Sequence, residues 1–315
     1  MIIRLLLFFL LTISSFRAIA QNKPDTVKIG CYLISLHDFN FRDKEYTARF
    51  WVWMLYNNKK FDLQHQVEIP NAKTMEKPDV VIEQLDSLDW LQMKIKCVMK
   101  QGWKVNHYPF DTQNLKIYIE NSTFDSNDLV FKSDTAGKPY DPNLVVDGWQ
   151  ITDFKVHTDV GNYATTFGDP SLKGSTYYSR FVIDIGLQRD AWGLFIKVFL
   201  GMYVAFCIAF VGFFIDHENI EPRFGLPVGG VFASVGNKYV IDSLLPESSQ
   251  LTLVDLLHGL TLICIFLIIA YSAFSLRLFK QGEVKLALKL DKIIGSGIFA
   301  FFCLTNLILI LLAIS

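Results

Sequence analysis

The feature that most constrains this chain is the change in patterning at Asp190. Before it, short runs rich in aromatic and β-branched residues are separated by clusters of Gly, Pro, Asn and Asp; after it come apolar runs too long for the core of a small soluble domain. Trp192 to Ile215, Leu253 to Leu276 and Ile293 to Ile314 are each long enough to cross a bilayer, which takes about 20 residues. The first is broken only by Lys197, whose stem reaches the nearer interface. Leu226 to Leu245 is different, because it holds Pro227, Gly229, Gly230, Gly236, Asn237, Lys238 and Asp242. A charge at a lipid-facing helix centre costs roughly 2.5 to 3.5 kcal/mol. This second span therefore predicts a helix enclosed by a bundle or lining a pore.

The ends and the charges set a topology. Met1 to Ala20 joins a basic start at Arg4, an apolar run from Leu5 to Ile13 and the small-residue site Ala18-Ile19-Ala20, which is the pattern of a signal peptide. The link between the third and fourth spans carries Arg277, Lys280, Lys285, Lys289 and Lys292 against Glu283 and Asp291. The positive-inside rule assigns that link, Phe279 to Lys292, to the cytoplasm and leaves the N-terminal domain and the C-terminus outside the plasma (inner) membrane. The expected units are a signal peptide at 1–20, an exported domain at 21–190 and a membrane domain at 191–315.

Within the exported part, Val27 to Leu36, Arg49 to Tyr56, Met93 to Met99, Leu115 to Ile119, Trp149 to Val156 and Tyr177 to Gln188 read as strands. Turn clusters lie between them. The class is α+β, a β-sandwich followed by a four-helix membrane domain. The last strand runs almost directly into the first span, a connection short enough to transmit movement. Net charge is -1, which argues against a nucleic-acid partner. The six histidines form no metal-ligand spacing, and no nucleophile motif or phosphate-binding glycine loop is present, so neither an enzyme nor a cofactor is expected. Cys207, Cys264 and Cys303 sit in apolar spans, leaving Cys31 and Cys97 as an exported pair, either bridged or free and buried.

Tyr108-Pro109-Phe110-Asp111-Thr112-Gln113 resembles the signature loop of the Cys-loop receptor superfamily of pentameric ligand-gated ion channels, in the form without flanking cysteines that is common among bacterial members. Leu244-Leu245-Pro246, followed by Thr252 to Asp255 and the third span, resembles the end of the pore helix and its onward link; Arg189-Asp190 resembles the charged junction before the first helix. The resemblance covers nearly the whole mature chain in the correct order. It implies a homopentamer whose second helix lines an ion pore, gated by a small-molecule ligand. Trp53 stands closer to Pro109 than is typical, which implies a shortened ligand loop on the principal face.

Gly225, Gly229, Phe232, Gly236, Tyr239 and Ser243 are spaced by alternating steps of four and three, which keeps them on one helix face. By resemblance this is the pore-lining stripe, with Phe232 its one bulky apolar constriction. The competing reading makes the glycines helix-packing positions, as Gly229/Ala233 and Gly230/Ser234 also suit. Pro227 suits the helix if it falls in the first turn. At the mouth, Glu221 favours cations while Arg223, in Pro222-Arg223-Phe224-Gly225-Leu226, resembles the anion-channel pattern; the two signals conflict. Lys238 and Asp242, one turn apart, are expected to pair. For the ligand, the resemblance implies Phe167, Tyr177 and Tyr178 on the principal face and Arg49, Trp51 and Trp53 on the facing strand of the next subunit. For coupling it implies Tyr108, Pro109, Phe110 and Asp111, with Asp111 paired to Arg189. The alternative is a non-conducting, membrane-anchored binding or scaffold protein that keeps the channel fold.

Overall fold

The computed structural model describes residues 23–170 and 173–314. The expected signal peptide at 1–20 lies outside the described residues.

Among the described residues, nine strands build two stacked sheets: β1 (Asp25–Asn40), β2 (Glu45–Tyr56), β3 (Val67–Glu68), β4 (Ala72–Leu85), β5 (Leu88–Lys100), β6 (Thr112–Asn121), β7 (Leu129–Ser133), β8 (Trp149–Tyr163) and β9 (Thr176–Arg189). One sheet has the order β4-β5-β2-β1-β7 and the other β3-β6-β9-β8. All neighbours run antiparallel except β1 and β7. Alternation drives the layering. On β2, Tyr46, Ala48, Phe50, Val52 and Met54 are buried while Arg49, Trp51, Trp53 and Leu55 are part-exposed; β6 and β9 answer with Leu115, Ile117 and Ile119 and with Phe181, Ile183 and Ile185.

All six expected strands are present, most of them longer than the sequence indicated. β4 was not expected, because it is an edge strand, mostly exposed, carrying Lys73, Glu76, Lys77 and Asp79. Pro78 falls where its register with β5 shifts, between Glu76 and Asp79, the usual place for a proline in a sheet. Cys31 and Cys97 are free and buried, and burial pushes each thiol up to about 12.

Four long helices follow: α1 (Ala191–Val211), extended by a 3₁₀ turn at Gly212–Phe214, then α2 (Ile220–Asp242), α3 (Leu253–Lys280) and α4 (Val284–Ile314). Three segments, Ala191–Phe214, Leu253–Lys280 and Val284–Ile314, are long and apolar enough to cross a membrane. α2 does not reach that threshold, since its glycines and charges lower its hydropathy. The expected second span is shifted: the helix begins at Ile220, a turn and a half before Leu226, and stops at Asp242. Pro227 therefore lies in the helix interior and not in its first turn. Its ring packs beside Gly212, where an added Cβ would lie 3.2 Å from both the Pro227 Cγ and the Arg223 carbonyl oxygen.

α4 also begins earlier than Ile293, so the basic cluster sits on helix ends around a tight turn at Gln281–Glu283. α3 opens with a capping box, Thr252 accepting from the Asp255 backbone N–H and the Asp255 carboxylate from that of Thr252. α1 and α2 cross closely at Gly230, where an added Cβ would come within 2.8 Å of the Ala205 carbonyl oxygen.

Candidate functional site

The loop between β5 and β6 is the point where sandwich and helices meet. Tyr108 and Pro109 are joined by a cis peptide bond. Phe110 projects onto α1, its ring 5.3 Å from that of Trp192 and 5.4 Å from that of Phe195. Asn106 accepts the Leu253 backbone N–H at 2.8 Å at the start of α3, and its side chain donates to Gln250 Oε1 at 2.6 Å. His107 Nδ1 lies 3.2 Å from the Ala313 carbonyl oxygen near the end of α4. One short loop thus touches α1, α3 and α4.

Behind that loop sits the ion pair expected from the resemblance. Arg189 Nε donates to Asp111 Oδ1 at 2.7 Å and its Nη2 to Oδ2 at 3.1 Å. The two side chains are only 9% and 2% exposed. Gln113 Nε2 gives Asp111 a further bond at 2.7 Å, while the guanidinium lies over Trp149 at 4.0 Å and Phe41 at 4.6 Å. A bidentate, charge-assisted pair walled by aromatic faces is held in one geometry. It also closes the last turn of β9, for the Arg189 backbone N–H reaches the Asp111 carbonyl.

On α2 the six stripe residues Gly225, Gly229, Phe232, Gly236, Tyr239 and Ser243 are all exposed in the protomer, Phe232 at 72% and Tyr239 at 76%. An added Cβ at Gly225, Gly229 or Gly236 would meet nothing within 4 Å. The opposite face, with Arg223, Pro227, Gly230, Ser234 and Ile241, is buried. Of the two small-residue pairs that suit packing, Gly230 and Ser234 are buried, while Gly229 and Ala233 face out.

One mouth residue is corrected. Arg223 is fully buried, donating to the Ile215 carbonyl at 2.7 Å and to Asp291 Oδ2 at 2.8 Å, so it presents no charge at a mouth. Asp291 also accepts from Ser275 Oγ at 2.6 Å, and His217 Nε2 stands 3.3 Å from it. Glu221 is exposed. Lys238 does pair with Asp242, at 2.6 Å, and also with Asp255 of α3 at 2.8 Å.

The proposed ligand residues fall on two separate sheets. Phe167 and Tyr178 join Tyr163 in an aromatic cluster, with ring centroids 5.7 to 6.4 Å apart; Tyr177 is exposed. Below them Glu120, 1% exposed, pairs with Arg180 and accepts from the Tyr163 hydroxyl at 2.8 Å. Burial, with the Glu120 carboxylate, pushes the Tyr163 hydroxyl up, which keeps it a donor. On β2, Trp51 lies under the Lys94 ammonium at 4.9 Å. Trp53 has its indole N–H committed to Asp134 Oδ2 at 3.0 Å and its ring against Gly30, where no side chain would fit. Arg49 Nε is buried without a hydrogen-bond partner. Among the described residues no group of His, Cys, Asp and Glu is arranged to hold a metal ion.

No family model matches the sequence. Two curated proteins are similar to it: the gamma-aminobutyric acid receptor subunit rho-3 of Homo sapiens, 21% identical over 235 residues, and the glutamate-gated chloride channel of Drosophila melanogaster, 24% identical over 221 residues. The matches cover 73% and 68% of this chain but 47% and 44% of those relatives, so the chain spans less than half of their length. The similarity is low, and both matches point to one superfamily. The chain is homologous to the Cys-loop ligand-gated channels.

Sequence reasoning missed Glu120 and Arg180 beneath the Tyr163, Phe167 and Tyr178 cluster, and Asp291 behind Arg223. Each has a partner more than 40 residues away in the chain. The legible signal was Asp291 itself, with Glu283 one of two acids in a mostly basic link.

Proposed function

We propose that this chain is the subunit of a homopentameric ligand-gated ion channel, with α2 lining the pore, α1, α3 and α4 around it, and ligand binding between neighbouring sandwiches. The observation that carries the reading is the division of α2 into two faces. One is packed against the other helices; the other, the stripe from Gly225 to Ser243, is exposed and uncharged, with open space at its three glycines and the β1–β2 turn beside only its Tyr239–Ser243 end. A helix too polar for lipid, with a free face, is accounted for by a water-filled axis shared among copies. Phe232 is then the bulky apolar ring that gates by excluding water. The β5–β6 loop, held to Arg189 through Asp111, passes sandwich movement to α1, α3 and α4. The sandwich and the C-terminus lie outside the membrane and the α3–α4 turn inside. Ion flux through purified protein in liposomes tests the reading: flux supports it, and pentamers that carry none at any Phe232 variant favour the non-conducting scaffold.

A further inference from the structure

We propose that His258 is a proton-binding site, and that the proton it takes up completes a hydrogen-bonded chain tying α2 to α1 and α3 at once; that its occupancy reaches the pore rests on the reading that α2 lines one. His258 is fully buried near the start of α3. Its Nδ1 lies 2.9 Å from the Val254 carbonyl oxygen and its Nε2 3.0 Å from Asn237 Oδ1 on α2. The other end of that amide, Asn237 Nδ2, is 3.3 Å from the Val198 carbonyl oxygen on α1. Gly201 leaves the space for this reach, since a Cβ there would lie 3.1 Å from Asn237 Nδ2. Three helices are thus joined by three consecutive contacts, from Val198 through Asn237 and His258 to Val254.

The protons do not add up for a neutral ring. Both ends of the chain are carbonyl oxygens, which only accept. Between them the amide presents one donor end and one acceptor end, and a neutral imidazole likewise offers one of each. Three contacts need three protons, and these two groups supply two. Neither the other tautomer nor turning the amide over mends this, because each only moves the opposed lone pairs to a different contact. An acceptor held against an acceptor in a buried site is repulsive, so one of the three links opens. An imidazolium, donating from both nitrogens, supplies the missing proton and satisfies all three. The charged groups that act on the ring are Lys238 and Asp242 from α2 and Asp255 from α3, a mutually paired set with one more negative charge than positive. α1 presents the Phe199 ring, 5.8 Å away. Desolvation works against a charged ring, and the negative set works for it. The proton therefore selects the arrangement in which α2 is held on both sides, and its loss frees α2 from one neighbour. Asn237 directly follows Gly236 of the exposed stripe, so that release moves the face proposed to line the pore.

The test is nitrogen-15 NMR of the reconstituted full chain, labelled at histidine and titrated with acid. One histidine should gain its second ring proton in a step that is absent from His258→Gln. Asn237→Asp, which sets a carboxylate against Nε2, should move that step up by about 1 pH unit or more. A ring at 258 that stays singly protonated at every pH where the protein remains folded overturns the site, as does a step that Asn237→Asp leaves in place. Ion flux in liposomes should vary with pH across the same step, and His258→Gln should lose that variation. Flux that is insensitive to pH in the parent, or a pH response that His258→Gln keeps, overturns the connection to the pore. The NMR step without flux from any form overturns the channel reading and supports the proton site. If His258→Gln does not fold, the shift in Asn237→Asp identifies the ring and decides.

Discussion

At the scale of single residues, the junction depends on groups that cannot lose their partners cheaply. With Asp111 and Arg189 almost fully buried, removing one leaves the other charge desolvated and unpaired, a loss of roughly 3 to 5 kcal/mol against about 0 to 1 for a solvated pair. Asp111→Ala should therefore impair assembly or gating with insertion intact, and Asp111→Arg combined with Arg189→Asp should recover part of the loss. Pentamer yield and ion flux check this, and a double variant no better than the worse single one refutes the pairing as a functional unit. A second residue makes the sandwich sensitive to acid. Burial alone raises the Asp134 pKa, but bonds from Trp53, the Ala136 backbone and Lys28 outweigh it and hold the carboxyl below its ordinary range. Since the folded chain prefers the ionised form, this contribution is complete above the ordinary aspartate value of about 4 and is lost as pH falls through the lower native value. Melting temperature followed downward through that window should drop less in Asp134→Asn than in the parent. The Asp111 pair could be anticipated from motif resemblance, whereas the Trp53–Asp134 bond joins positions 81 apart with no pattern between them.

At the scale of the element, α2 makes contrasting predictions for neighbouring positions. Phe232→Ala should widen and wet the constriction and raise resting conductance, while Val231→Ala, whose side chain packs against the helix core, should do less. Equal leak in conductance recordings would move the lumen to another face. Gly230→Ala forces a methyl onto the Ala205 carbonyl and should cost about 1 to 3 kcal/mol of stability, read as a lower melting temperature of the purified protein. Gly229→Ala meets open space and gains up to about 1 kcal/mol of helix propensity. Periodicity made the exposed stripe legible because a single helix face is a local property. It could not show which glycines pack, since that depends on where α1 crosses. The helix start was misplaced for a similar reason: Pro227 reads as a boundary, yet the preceding turn is held in place by buried Arg223, whose partner is Asp291.

At the scale of the molecule, the division into sandwich and helices was readable from the patterning change at Asp190, and the observed boundary between β9 and α1 falls there. Sheet order and the edge strand β4 were not, because pairing partners lie far apart in sequence and an exposed strand carries little apolar signal. The orientation predicts that a cysteine at Lys285 is shielded from membrane-impermeant thiol reagents applied to intact cells; modification from outside would reverse the topology. α4 has a further consequence. Among the three helices apolar enough to cross a membrane it is the least buried in the protomer, 17% of its most apolar stretch, yet near its far end Ala313 meets His107 in the β5–β6 loop. An apolar helix left this exposed tilts to match the thickness of a bilayer around it, which under the proposed function makes the membrane itself an input to the junction. Ligand response should then shift with acyl-chain length in reconstituted vesicles, and shortening His107 to Ala should blunt that shift while leaving the Asp111–Arg189 pair in place.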